Sequence, residues 1–396
     1  MVYLDNAATT PVRDEVLEAM MPYFKEEFGN ASTSYKLGHN AKNALENSRT
    51  KVAEVLNTNA NEILFTSGGT ESDNFAIKGY ARAHANKGKH IITSNIEHHA
   101  VSHSLKSLQK EGFEVTEVPV NSEGIVEIAE FEKAIRPDTI LATIMQANNE
   151  IGTIQPIKEL AEIAHKNGFA FHTDAVQSIA HIPVDINDLG VDMLSLSGHK
   201  FGAMKGIGAI YVKKGIKLDI FNDGGGQEKG RRAGTENIAG IVGLAKALEL
   251  AQQELPEEMP RLSKLRDTLM DGLLERIPGS RVNGSRTQRV PGNVNMSFPY
   301  VEGESMLIHL DLINTCAASG SACTSGSLDP SHVLLAIGLD HATAHGSIRF
   351  SIGKDNTEED IKFVLDNMPK IVEKLQAMSP LKPQGNTKMP MYSRAM

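Results

Sequence analysis

Between about residues 60 and 215, short runs of β-branched and apolar residues alternate with segments whose apolar positions recur every three or four residues. The β-like runs are EILFTS, HIITS, FEVTEVPV, TILATIM, FAFHT, DMLSLS and GIGAIYV. Helical patterns follow EILFTS as far as Ala85 and HIITS as far as Glu111, and another spans Ile157 to Asn167. Parallel strands need a long crossover between them, and a helix is the usual one. The alternation therefore predicts an α/β fold with a mainly parallel sheet covered by helices. After the Gly-rich stretch DGGGQEKGRRAGTEN the pattern changes to two helices, over 240–254 and 261–277. NVNMSF, an amphipathic stretch after Glu302, SIRFSIG and a helix from Thr357 to about Met378 then predict a smaller α+β domain, with Thr357 and Asp360 spaced as a helix cap. The expected division is a large domain over 15–258 and a small one over 1–14 and 259–380. Residues 381–396, which combine Pro, Gly and Lys without periodicity, are expected to be a flexible tail.

Composition narrows the function. A chain of 396 residues with 40% hydrophobic and 22% charged residues can bury a large core, which excludes a disordered chain and a small disulfide-stapled scaffold. Forty Lys and Arg against 49 Asp and Glu give a net charge of −9, which argues against nucleic acid as a partner. The two cysteines, Cys316 and Cys323, are too few for a structural zinc site or a disulfide framework, so a reducing compartment is expected. The start MVYLDNAATTP lacks a basic stretch leading into an apolar core, and no apolar run approaches the ~20 residues of a membrane span. A cytoplasmic protein without a membrane partner is the expectation.

In open α/β sheets ligands bind beyond the carboxyl ends of the strands, so the polar residues that follow each β-run carry the candidate chemistry. After EILFTS comes GGTESDN, where two glycines permit close backbone approach and Thr70 stands at the start of a helix, as in a phosphate cradle. The same residues also suit an ordinary Gly-Gly turn with a Thr cap. Neither GxxxxGK[ST] nor GxGxxG occurs. FAFHT ends in Asp174 and DMLSLS runs into Ser197, Gly198, His199 and Lys200, so a carboxylate and a lysine emerge at equivalent strand ends. A desolvated lysine can form a Schiff base, and an aspartate facing a pyridine nitrogen keeps it protonated. Cradle, carboxylate and lysine together describe pyridoxal 5′-phosphate, although Asp174 also reads as a turn residue and Lys200 as a solvated loop charge. NIEHHAVSH contains His98, His99 and His103; the last two have the spacing of a metal pair, but HExxH is absent and no metal is expected. Cys323, set among small residues in AASGSACTSGSLDPS, suits a loop-borne thiolate, whereas Cys316 reads as a core residue.

YLDNAATTP, TSGGTESDN, EHHAV, NNEIG, HTDAVQS, SLSGHK, GGGQEKGRRAGTEN, SGSACTSGSLDPSHV and SIRFSIG, in this order over residues 3 to 353, resemble the cysteine desulfurases of the NifS/IscS type. These are class V aminotransferases with the fold-type I architecture of pyridoxal phosphate enzymes. The resemblance implies that Lys200 carries the cofactor, Asp174 pairs with its ring nitrogen, Gln177 with its ring hydroxyl, and His98 stacks on the ring. It further implies that Gly69, Thr70, Ser197 and His199 hold the phosphate and that Thr235 completes the cradle from the second subunit of a homodimer. Asn149 and Arg349 would contact the substrate, L-cysteine, with Arg349 on its carboxylate. Cys323 would accept the sulfur as a persulfide, leaving L-alanine, and pass it to an iron–sulfur cluster scaffold or other sulfur-acceptor protein. One departure stands beside Lys200: FGAMKGIGAI replaces the family's FYGPKGIGAL, which is expected to soften the turn behind the lysine. Two other readings remain. One is a selenocysteine lyase or another fold-type I aminotransferase-like enzyme, and the other is a non-catalytic sulfur carrier that kept the fold.

Overall fold

A computed structural model describes residues 1–319, 330–380 and 382. Its seven-stranded sheet has the order Ile63–Thr66, Gly208–Val212, Met193–Ser197, Ala170–Asp174, Thr139–Thr143, His90–Ser94, Glu114–Val118. Gly208–Val212 runs antiparallel to both its neighbours, and the five strands from Met193–Ser197 to Glu114–Val118 are mutually parallel. Every residue of Ala170–Asp174, Met193–Ser197 and Thr139–Thr143 is buried, as expected of strands covered by helices on both faces. Only the edge strand Glu114–Val118 mixes exposed and buried positions, which is why FEVTEVPV carries its two glutamates.

The region after the Gly-rich stretch corrects the sequence expectation. Instead of two helices, one helix runs over Ile238–Arg276, 39 residues with Pro256 and Pro260 inside it. Each interior proline removes a hydrogen bond and costs about 3 kcal/mol. Burial at both ends outweighs that loss. Leu244 and Leu248 pack into the core under the large sheet, while Leu262, Leu265, Leu269 and Leu273 pack into a second core. A fully buried leucine contributes roughly 1.5–3 kcal/mol. The prolines thus mark where the helix passes from one core to the other.

The second core lies under an antiparallel four-stranded sheet of order Ala318–Ser319, Ser347–Ser351, Asn293–Ser297, Arg281–Val282. The helix Glu358–Met378 covers it, and the Thr357 side chain and Asp360 form the expected capping box. The N-terminus joins this side: Leu4 is in the second core, Val2–Tyr3 pairs with Thr315–Cys316, and Asp5 bridges to Ser351. Cys316 is half-buried on that short strand, not a core residue.

The Gly-rich stretch is pinned by a buried ion pair. Arg49, 1% exposed, donates from Nη1 and Nη2 to Glu228 at 2.7 and 2.9 Å, and Nη1 also reaches the Ile63 carbonyl at 2.8 Å. Glu228 takes the amide of Phe65 as well, at 3.1 Å. Glu228 and Lys229 have φ of 45° and 59°, an uncommon conformation for side-chain-bearing residues that these contacts hold in place. No helix among the described residues is long and apolar enough to cross a membrane.

Candidate active site

The carboxyl ends of Ala170–Asp174 and Met193–Ser197, the first turn of the helix beginning at Gly69, and the N-terminal segment enclose a cavity of about 550 Å³. Gly69, Thr70, His98, Asn149, Asp174, Gln177, Ser197, His199, Lys200 and Arg349 all line it. Thr235 does not: it is exposed on its own chain. Cys323 lies outside the described residues.

Each side chain is aimed by local structure. Asp174 closes its strand, in register with Ser195 of the neighbouring strand, and its Oδ1 accepts the amide of Val176 at 2.9 Å. Burial raises its pKa to about 6, against the pull of the Val176 N–H and the Lys200 charge. Lys200 ends a short 3-10 turn after the next strand and donates from Nζ to the carbonyls of Ala7 and Ala8 at 2.7 and 2.9 Å. Gln177 Nε2 donates to the same Ala7 carbonyl at 3.0 Å. These two carbonyls are functional groups the sequence did not disclose. YLDNAATTP was legible as a motif, but alanine side chains name no chemistry.

His98 caps the helix His99–Lys110: its Nδ1 accepts the Ala100 amide at 3.1 Å, which leaves the ring proton on Nε2. Desolvation and then the neighbouring Lys200 charge lower its pKa to about 4, so it is neutral at pH 7. His199, lowered to about 4 for the same two reasons, bonds Thr9 Oγ1 at 3.1 Å and is neutral too. His99 stacks on His103 with ring centroids 5.0 Å apart, and no cluster of three metal-ligating side chains forms among the described residues.

Of the two glycines at the start of the helix, the first is required by its backbone conformation and the second by packing. Gly68 has φ +155°, and a Cβ on Gly69 would come within 2.7 Å of Val176 Cγ2. Thr70 lies inside the first helical turn and is not the cap, since the cap position is Gly68. Behind Lys200 the FGAMKG turn is tightly held. Ala203 is 1% exposed with its amide on the Gly198 carbonyl at 3.1 Å, and the Gly202 amide donates to Thr10 Oγ1 at 2.8 Å. Small residues pack here because the N-terminal segment itself supplies the support that the expected softening left out.

Three further buried carboxyl groups lie close by. Glu97 is raised to about 8 by burial and accepts the Met145 amide at 3.0 Å. Glu150 is raised to about 7 by burial and accepts the Ser331 hydroxyl. Asp73, also on the cavity wall, is pushed well up by burial and then by Asp174.

The class-V aminotransferase family matches residues 2–364, and the chain belongs to that family. Its curated relatives are narrower in kind. The cysteine desulfurase IscS of Methanosarcina thermophila is 57% identical over 383 residues, 97% of this chain and 95% of the relative. The cysteine desulfurase IscS of Dictyoglomus turgidum is 53% identical over 381 residues, 96% and 97% of the two chains. Among solved structures, a NifS-like protein superposes with a TM-score of 0.89 at 40% identity, covering 94% of this chain and all of its own (100%). SspA in complex with cysteine superposes with a TM-score of 0.77 at 37% identity, covering 89% and 99%. The likeness to NifS/IscS-type cysteine desulfurases read from the motifs holds, and with it the α/β fold of that group. Enzymes of this family depend on pyridoxal phosphate.

Proposed function

We propose that this protein is a cytoplasmic, homodimeric cysteine desulfurase that binds pyridoxal 5′-phosphate and converts L-cysteine and an enzyme thiol to L-alanine and an enzyme persulfide. The observation that carries the reading is the meeting of Asp174, His98 and Lys200 with the Gly68–Gly69 turn around one cavity. The donor set fits the cofactor group by group: a buried carboxylate for a ring nitrogen, a neutral histidine for a ring face, a lysine for an aldehyde, and a side-chain-free backbone with Ser197, His199 and Thr70 for a phosphate. When bound, pyridoxal phosphate supplies an acceptor for the electrons released as the Cα–H bond of the amino acid breaks.

The protein's own residues do the rest. Lys200 would hold the cofactor and, with its amine free, would serve as the base for the Cα proton; the Ala7 and Ala8 carbonyls accept from its Nζ and would hold its protonated form. Asp174 would keep the ring nitrogen protonated, and Gln177 would bond the ring hydroxyl. Asn149 and Arg349 would contact the substrate, Arg349 at its carboxylate. The Cys323 thiolate attacks the substrate sulfur, so that a C–S bond breaks, an S–S bond forms, and the outer sulfur stays on the enzyme. An iron–sulfur cluster scaffold or another sulfur-accepting protein then receives it.

Two features support the dimer. Leu17, Met21, Phe24 and Phe28 project from the N-terminal helices and the turn after them, 46 to 65% exposed, an apolar surface suited to a second copy. Thr235 is exposed and lies away from its own cavity, which is consistent with service in a partner's. We take the large domain to span 15–258 and the small one 1–14 and 259–380, a division supported by the core under the large sheet and the core under the small one, which the long helix joins.

The test is incubation with L-cysteine and a reductant. Alanine and sulfide are expected in equal amounts, and consumption of cysteine by loss of its amino group with neither product formed would replace the desulfurase reading with that of another aminotransferase-like enzyme. Mixing Lys200→Ala with Thr235→Ala subunits should restore activity through one intact site per heterodimer. Absence of recovery after verified exchange of two individually defective variants contradicts the shared site.

A further inference from the structure

Arg349, read above as the ligand of the substrate carboxylate, already holds a carboxylate of its own chain. The residue is 2% exposed; Nη2 meets Asp5 Oδ1 at 2.8 Å, and Nη1 donates to the Asn149 carbonyl at 2.8 Å. Its Nε is buried and has no hydrogen-bond partner. Asp5 is not free to drift away. Its backbone bridges to Ser351, two residues beyond Arg349 on the same strand, and its carbonyl takes the Tyr3 hydroxyl at 3.1 Å. Two residues later in the chain, the Ala7 carbonyl holds Lys200. A second carboxyl group, Glu150, also feels Arg349, but it is raised to about 7 by burial and its hydrogen bond goes to Ser331. Asp5 is therefore the carboxylate in contact with the guanidinium.

A ligand carboxylate has two ways onto this arginine. It can turn the guanidinium so that the buried Nε edge is exposed, which brings two carboxylates onto one guanidinium, or it can displace Asp5, which strands a half-buried charge. Like charges a few ångströms apart in a partly desolvated site repel strongly, so either way binding is weakened. We propose that Asp5 acts as a charge brake at Arg349, a positioning residue that fixes the guanidinium while its negative charge holds down affinity for the α-carboxylate of the amino acid. The proposal rests on the reading of Arg349 as the carboxylate ligand. It has a kinetic rationale. L-cysteine and L-alanine share their carboxylate, so tight binding there holds product as firmly as substrate and adds nothing to the rate at saturation.

Asp5→Asn separates the brake from a purely orienting role, because it keeps an acceptor oxygen for Nη2 and removes only the charge. The holoenzyme is titrated calorimetrically with L-alanine and with L-alaninamide, which lacks the carboxylate. The brake predicts that alanine binds roughly three- to tenfold more tightly to Asp5→Asn than to the parent, with alaninamide unchanged. Unchanged or weaker alanine binding, or an equal gain for alaninamide, overturns it. Asp5→Ser carries the same expectation and serves if the asparagine variant does not fold. Arg349→Gln in the same titration should abolish the preference for alanine over alaninamide. If that preference survives, the carboxylate role of Arg349 fails and the brake with it; if it is lost while Asp5→Asn shows no gain, only the brake fails.

Discussion

At one end of the cavity Asp174, Ser197, His199 and Lys200 follow directly on two buried strands whose registers are fixed by ladders on both sides. At the other, Arg349 stands in the four-stranded sheet and is aimed by side-chain contacts with Asp5 and with the Asn149 carbonyl. Arg349 is itself laddered to Asn295 and Ala318, so both ends rest on backbone, but its guanidinium is further aimed by one charge and one carbonyl from two distant segments. Backbone ladders hold a geometry regardless of which side chain the strand end carries. Ion pairs hold one only while both partners keep their charge. Changes at the cofactor end should therefore abolish chemistry and leave the fold, whereas changes at the carboxylate end should shift affinity.

The largest expected effect follows at the cofactor end. Lys200→Ala should lower alanine formation by at least roughly 10⁴-fold. Its thermal unfolding should stay within a few degrees of the parent's, because the lysine bonds the Ala7 and Ala8 carbonyls at the cavity wall and belongs to neither core. Cooperative unfolding of this variant at ambient temperature would show that the lysine also supports the scaffold. Asp174→Asn should follow, slowing turnover roughly 10²- to 10⁴-fold with some cofactor retained, as read by cofactor absorbance alongside steady-state rates. A near-normal rate would mean that another group protonates the ring.

A scaffold residue close to the same sheet sharpens the contrast. Arg49→Ala strands Glu228 in the core and should destabilise the protein by about 3–5 kcal/mol in denaturant unfolding. If the loss is below about 1 kcal/mol, the pair does not pin the Gly-rich stretch. The smallest effect lies at the junction of the two cores. Arg13 on the N-terminal segment and Lys354 after the small sheet both bond Glu254 of the long helix at 2.6 Å. Those bonds lower the folded pKa of Glu254 to about 2, below its unfolded value near 4.5. The stabilisation is therefore complete above about pH 4.5 and is lost as pH falls toward 2. The carboxylate is about one-third exposed, with 32% of its side-chain surface accessible, so Glu254→Gln should cost no more than about 1 kcal/mol at pH 7. The difference from the parent should vanish near pH 2. A difference that persists at that pH assigns the effect to packing.

The contrast between the two ends also explains what could be read in the sequence. Strand-end residues are legible because the β-run before them is, and Asp174 and Lys200 were placed by FAFHT and DMLSLS. The ten cavity residues named from motifs do meet around one space. The Asp5–Arg349 pair joins residues 344 positions apart, which no local pattern encodes. Ala7 and Ala8 act through their carbonyls, and residue type does not advertise backbone chemistry. The gap expected between residues 254 and 261 holds Pro256 and Pro260, yet the helix continues across it, because packing into two cores overrides local propensity. Thr70 looked like a cap because helix starts favour threonine, yet the backbone turn there demands glycine at position 68.

The destination of the substrate sulfur separates a desulfurase from every other reading of this cavity. A brief pulse of L-cysteine, followed by alkylation and mass spectrometry of the peptides, should find one added sulfur on the peptide containing Cys323, with alanine formed in equal amount, and none on the peptide containing Cys316. Cys323→Ser should lose both products while retaining the cofactor spectrum. Sulfur on Cys316 instead, or undiminished alanine formation by Cys323→Ser, would contradict the assignment.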